Sequence, residues 1–225
     1  MRQLSPTPFA AYLNLPWAHV LSASPERFLQ LRDGQVSTRP IKGTRRRDTD
    51  AVRDAILKQE LAASAKDRAE NLMIVDLLRN DLGKVCQPGS IQVPELFAIE
   101  SYANVHHLVS SIRGRLAPGQ DALSLLRACF PGGSITGAPK RRAMQVIGEL
   151  ETTPRGIYCG SIGYIGHHGD MDGNIAIRTL TWQAGHATFN AGGGIVADSD
   201  AASEYQECRT KAAPMFALMD DARVG

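Results

Sequence analysis

The chain has 225 residues, 43% of them hydrophobic, which suits one ordinary-to-large domain or two small ones with a real core. With 25 basic against 23 acidic residues the formal net charge is +2, so no global field favours nucleic acid or a membrane surface. Cys86, Cys129, Cys159 and Cys208 form no C-x-x-C, which argues against a zinc site or disulfide framework; with no export signal and no apolar run near the roughly 18 residues of a membrane span, a cytoplasmic protein is expected.

Residues 28–31 and 35–38 flank Asp33-Gly34, a hairpin signal, and Pro40 closes off the second strand. Lys42 is then expected on a constrained turn just after that strand, between a proline that locks φ and Gly43. Helical periodicity covers residues 49–61 and 64–85, with Gly83 and Gly89 as punctuation. Residues 97–102 and 105–116 read as strands, 121–129 as a short helix and 139–151 as a helix with proline in its first turn. Three more strands are expected at 157–165, 174–182 and 187–191, before a last helix over 201–221. This order predicts an α+β class, antiparallel sheets with helices packed on them, rather than repeated βαβ units.

The run from Arg39 to Arg47 could be a solvated basic loop, a phosphate-binding patch, or a setting in which the amine of Lys42 is aimed and desolvated as a nucleophile. Asp67 and Glu70 are three apart on a predicted helix, as are Glu204 and Glu207, with Lys211 four beyond Glu207. Such oxygen-only pairs suit a hard cation such as Mg2+, although surface charge with an ordinary i, i+4 pair has the same spacing. Gly192-Gly193-Gly194 stand between a strand and a helix start, where backbone N–H groups can approach a carboxylate. The stretch from Pro131 to Lys140 fails the Walker spacing, because Ala138-Pro139 intervenes before the lysine, but Ser134 and Thr136 could still donate hydroxyls to an anion. His106 and His107 are neighbours on a strand and face opposite sides, so at most one serves a site. His167 and His168 fall in a predicted hairpin turn and receive no role. Arg178, placed inside a strand among apolar neighbours, implies an anionic partner.

These segments resemble the chorismate-utilising enzymes, most closely the aminodeoxychorismate synthase component I group. The blocks are Pro40-Ile41-Lys42-Gly43-Thr44, the run from Glu70 to Asp81, Val105-His106-His107-Leu108-Val109-Ser110, Gly137-Ala138-Pro139-Lys140, and Ala191 through Lys211, in the family's order. The resemblance implies one chorismate-binding catalytic domain over 1–225, without the N-terminal half that supplies further strands in family members. It also implies that Glu70 and Glu207 hold Mg2+, with Glu204 and Asp67 in support; relatives often carry glutamate where Asp67 stands. Tyr158, Arg178, Gly194 and Lys211 match residues that bind the substrate carboxylates, and His107 and Ser134 match residues that line the ring. Glu26 matches an acid that assists departure of the 4-hydroxyl, and Lys42 matches a lysine that adds covalently to the ring.

The implied activity is amination of chorismate at C4 to 4-amino-4-deoxychorismate, in para-aminobenzoate and folate biosynthesis, with ammonia from a glutamine amidotransferase partner. Two alternatives remain. Anthranilate synthase component I resembles this chain across most blocks but typically carries alanine at the position of Lys42. The chain could also be an inactive incomplete half that serves only as a binding subunit.

Overall fold

The computed structural model describes residues 7–221. Two compact units are interleaved along the chain. Of the described residues, the smaller takes 7–26, Thr152–Ile162 and 173–221; the larger takes Arg27–Glu151 and Gly163–Asp172.

In the smaller unit, β1 (Phe9–Asn14), β2 (His19–Ser24), β10 (Thr179–Gln183) and β11 (His186–Phe189) form an antiparallel sheet in the order β1-β2-β10-β11. Its register places Ser22 opposite Thr179, and the two buried hydroxyls share a hydrogen bond of 2.8 Å. Helix α5 (Ala201–Asp221) meets β11 through Phe216, which stands edge-on against Phe189 at 5.2 Å between ring centroids.

The larger unit is built on a seven-stranded sheet. The strands β3 (Arg27–Arg32), β4 (Gln35–Arg39), β5 (Ile41–Arg46), β6 (Gln92–Ser101), β7 (Val105–Arg115), β8 (Gly163–Ile165) and β9 (Met171–Asn174, of which Met171 and Asp172 belong to this unit) run in the order β5-β7-β4-β3-β9-β8, with β6 also on β7. Asp33 and Gly34 both take positive φ, the geometry of a two-residue hairpin turn between β3 and β4. Helices α1 (Ala51–Ala63), α2 (Ala65–Gly83), α3 (Ala122–Cys129) and α4 (Lys140–Leu150) complete the unit. Asp50 caps α1 through the Val52 and Arg53 amides, Ser64 caps α2 through Asp67, and Asp121 with Ser124 forms a capping box on α3. Ile74, Val75, Leu78 and Leu82 on α2, Leu108 and Ile112 on β7, and Leu31 and Val36 on the hairpin are all buried apolar side chains of this unit.

The antiparallel α+β class, the hairpin and the helices follow the sequence expectation, as do the paired glycines around His167 and His168 in the turn after β8. Three local expectations change. Residues 157–162 are not a strand: Tyr158 N bonds to Arg155 O and Gly160 N to Ile157 O, with Gly156 and Cys159 at positive φ, so consecutive turns replace the extended chain. The expected strand at 174–182 is divided, because Ile177 N closes on Ile175 O and Arg178 sits at φ +50 before β10 begins. Arg178 therefore lies at a strand entrance and not inside a strand. Finally, Lys42 belongs to a strand of its own, β5, which pairs with β7.

Candidate functional site

On the larger unit the first group of site residues forms where β5 meets β7 and α2. The β5–β7 register slips between Ile41 and Thr44, and Gly43 occupies the slip at φ +84. A Cβ at Gly43 would lie 2.8 Å from Asp67 Cγ on α2 and 2.9 Å from Leu61 Cδ1 on α1, so glycine is required both by the backbone and by the approach of these two helices. The bulge presents Lys42, which is half-buried and donates from Nζ to the Ser134 carbonyl at 3.2 Å. Two residues on, Thr44 Oγ1 is 2.8 Å from His107 Nδ1, and the His107 ring stands edge-on to Tyr102. The structure thus brings Lys42 to Ser134, and His107 to Thr44 next along the same strand.

His106 turns the other way. Its Nδ1 meets Ser101 Oγ at 2.8 Å and its Nε2 meets Asp54 at 3.0 Å, so its ring joins β6 and α1. Both histidines are buried, and their separate partners agree with opposite faces of one strand. Thr136, expected as a hydroxyl donor to an anion, instead donates to Gly132 O at 3.0 Å within its own loop. Asp67 accepts from Arg45 at 3.1 Å, and Glu70 lies 4.0 Å from Lys66.

On the smaller unit the glycine run and α5 form a second group. A Cβ on Gly193 would stand 3.1 Å from Glu204 Oε2, 3.9 Å from Glu207 Oε1 and 4.0 Å from Lys211 Nζ, so the glycine keeps open a space bordered by three charged groups. Lys211 Nζ pairs with Glu207 at 2.6 Å and donates to Gly192 O at 3.3 Å; Glu204 accepts from Ser199 at 2.6 Å. Gly194 continues the same irregular stretch and is exposed. The Tyr158 hydroxyl lies 3.3 Å from the Cβ position of Gly192, and burial, aided by the neighbouring Cys159, raises its pKa strongly.

Arg178 is the most informative residue of this unit. Burial lowers the pKa of its guanidinium, its backbone carbonyl accepts from Ala23 N at 3.0 Å, and no protein carboxylate pairs with it among the described residues. A partly desolvated cation without a protein counter-ion leaves its charge for a ligand anion. Glu26 is 7% exposed, and its backbone is held on both sides: Ile175 N donates to its carbonyl at 3.0 Å, and its own N–H donates to Ser24 Oγ at 3.2 Å.

Asp67 and Glu70 lie on the larger unit and Glu204 and Glu207 on the smaller, and each pair offers only carboxylate oxygens, the donors a hard cation takes. Among the described residues no three or more His, Cys, Asp or Glu side chains stand together as a metal cluster.

Two polar groups were not assigned from the sequence. Asp81, 1% exposed, accepts from Lys140 and Lys84, and Asn71 accepts from Ser110 across the α2–β7 contact. The signal for both was present: Asn71, Ile74, Val75, Leu78, Asp81 and Leu82 share one helical stripe, so a polar residue there needs a partner.

The family model described as chorismate binding enzyme matches residues 1–217. Aminodeoxychorismate synthase component 1 of Klebsiella aerogenes is 60% identical over 200 residues, which cover 89% of this chain and 44% of that protein. Aminodeoxychorismate synthase of Streptomyces pristinaespiralis is 52% identical over 226 residues, covering 100% of this chain and 31% of that protein. The chain thus spans less than half the length of these relatives. The crystal structure of anthranilate synthase component I from Streptococcus pneumoniae superposes with a TM-score of 0.85 at 41% identity, over 94% of this chain and 46% of that one. With a model match over nearly its whole length, this chain belongs to the chorismate-binding enzyme family.

Proposed function

We propose that this chain carries out the amination of chorismate at C4, yielding 4-amino-4-deoxychorismate for para-aminobenzoate synthesis, as the names of its similar relatives suggest. The observation that carries the reading is Lys42, presented on a glycine bulge with its amine on the Ser134 carbonyl, at the position that separates this chemistry from amination at C2.

In this reading Arg178 and Lys211 bind carboxylates of a dianionic substrate, and Tyr158 and the Gly194 backbone complete their recognition. By the family resemblance Glu70 and Glu207, with Asp67 and Glu204 in support, would hold Mg2+, and the ion would supply charge neutralisation for the substrate. His107, oriented by Thr44, and Ser134 line the ring. Glu26 donates a proton to the departing 4-hydroxyl, which leaves as water while the Lys42 amine forms a bond to C2 and the ring double bonds shift. Ammonia then forms the bond to C4, the double bonds return and Lys42 leaves. Overall, chorismate and ammonia give 4-amino-4-deoxychorismate and water. The ammonia is expected from a glutamine amidotransferase partner.

The test incubates the purified chain with chorismate, Mg2+ and ammonium and identifies the product by mass spectrometry. Formation of 4-amino-4-deoxychorismate, with a Lys42 adduct on chorismate in the absence of ammonia, is the expected result. Anthranilate as the product would instead support the second reading, which the 41% identity to a solved anthranilate synthase component I favours.

A further inference from the structure

The segment that offers its carbonyl to Lys42 runs from the end of α3 to the start of α4, and it is fastened from beneath. Lys140 Nζ, at the first residue of α4, donates to the carboxylate of Asp81 on α2 and, at 2.7 Å, to the carbonyl of Cys129, the last residue of α3. One ammonium therefore draws both ends of the loop together over α2. Between those ends, a Cβ on Gly133 would lie 2.8 Å from Leu77 Cδ2, so the loop backbone rests directly on α2, one residue before Ser134. Asp81 also accepts from Lys84 at 2.8 Å, but that side chain is 52% exposed and lies outside the loop.

Resting on the Lys42 reading above, we propose that the Asp81–Lys140 pair is a positioning clamp for Lys42. The pair holds the Ser134 carbonyl in place, and the carbonyl in turn aims the amine. A hydrogen bond to one N–H leaves the remaining valence directions of the nitrogen defined, and attack on a ring carbon is sensitive to displacements of about 1 Å. Buried ion pairs are weak contributors to stability and find their best-attested use in setting registry, here the registry of a loop against a strand.

The test is independent of chorismate. The chain is treated with limiting acetic anhydride, and mass spectrometry gives acetylation of Lys42 relative to the exposed Lys58, with folding monitored by circular dichroism. Lys140→Met and the isosteric Asp81→Asn are expected to raise relative labelling of Lys42 at least about five-fold as the amine loses its acceptor, while Lys84→Met changes it less than about two-fold. In turnover assays Lys140→Met is expected to lower kcat about ten-fold or more with KM little changed. Unchanged Lys42 labelling in a folded Lys140→Met or Asp81→Asn chain overturns the clamp, as does an equal change in Lys84→Met. A wild-type chain that forms no adduct with chorismate yet keeps this labelling pattern removes the nucleophile reading and leaves the clamp as a structural fact.

Discussion

Gly43 and Arg178 sit at opposite ends of the relation between stability and ligand binding: the first suits its backbone setting, the second carries a partly buried charge. Gly43 combines a left-handed backbone with a close approach to Asp67 and Leu61, so Gly43→Ala adds strain of about 1–3 kcal/mol and a clash that those side chains or their helices must move to relieve. Thermal denaturation should register the loss, and loss of the Lys42 adduct should accompany it. Arg178 shows the reverse. Its guanidinium is desolvated without a protein counter-ion, so Arg178→Met, close in shape and without charge, is expected to leave the melting temperature unchanged or raise it. The same variant should raise KM for chorismate by about ten-fold or more, through loss of a charge-assisted contact worth at least about 1.5 kcal/mol. A large drop in melting temperature would show that the residue serves the fold and not the ligand.

At the scale of elements, α1 and α2 are tied to the sheet by polar contacts as well as by packing. Asp54 on α1 is held well below the usual carboxylate range, first by its hydrogen bond from Arg47, then by the Asp48 amide and by His106. A folded-state pKa below the unfolded one means that the contribution of Asp54 is complete above about pH 4 and is lost as pH falls further through the folded value. The melting-temperature gap between the wild-type chain and Asp54→Asn should therefore be constant from about pH 7 to pH 5 and narrow below about pH 4. On α2, the buried Asp81 makes Lys140→Met costly, about 3–5 kcal/mol if Lys84 cannot compensate, which urea denaturation would measure.

At the scale of the whole molecule, the setting of the described thiols can be set beside the proposed nitrogen source. Cys86, Cys129 and Cys159 are buried, burial pushes the Cys129 thiol up to about 12, and Cys208 is bonded to Ala191 O. In the proposed reaction, product is expected from ammonium and not from glutamine alone, a difference that labelled nitrogen and mass spectrometry would read directly. Among the described residues no helix is long and apolar enough to cross a membrane. Tyr12, with Trp17 and Trp182, leaves aromatic surface exposed on the smaller unit, and α4 buries none of its residues on the larger. Turnover by the isolated chain, together with its sedimentation behaviour, separates a competent catalyst from a binding subunit.

The local sequence by itself determined the α+β class, the Asp33-Gly34 hairpin, the helices with their caps and the order of the family blocks, because propensity, capping and turn chemistry act over a few residues. It also marked Lys42, Arg178 and the acidic pairs as residues of interest. What only the tertiary structure decided were their surroundings. Lys42 is placed by a strand whose partner residue His107 lies 63 positions from Thr44, and its acceptor Ser134 is 92 positions away. Arg178 left the expected strand because the chain between β9 and β10 turns back on itself, and Asp81 gained its meaning from Lys140 across 59 positions. Contacts at such separations are set by which surfaces the folded chain brings together, and no window of local sequence contains them.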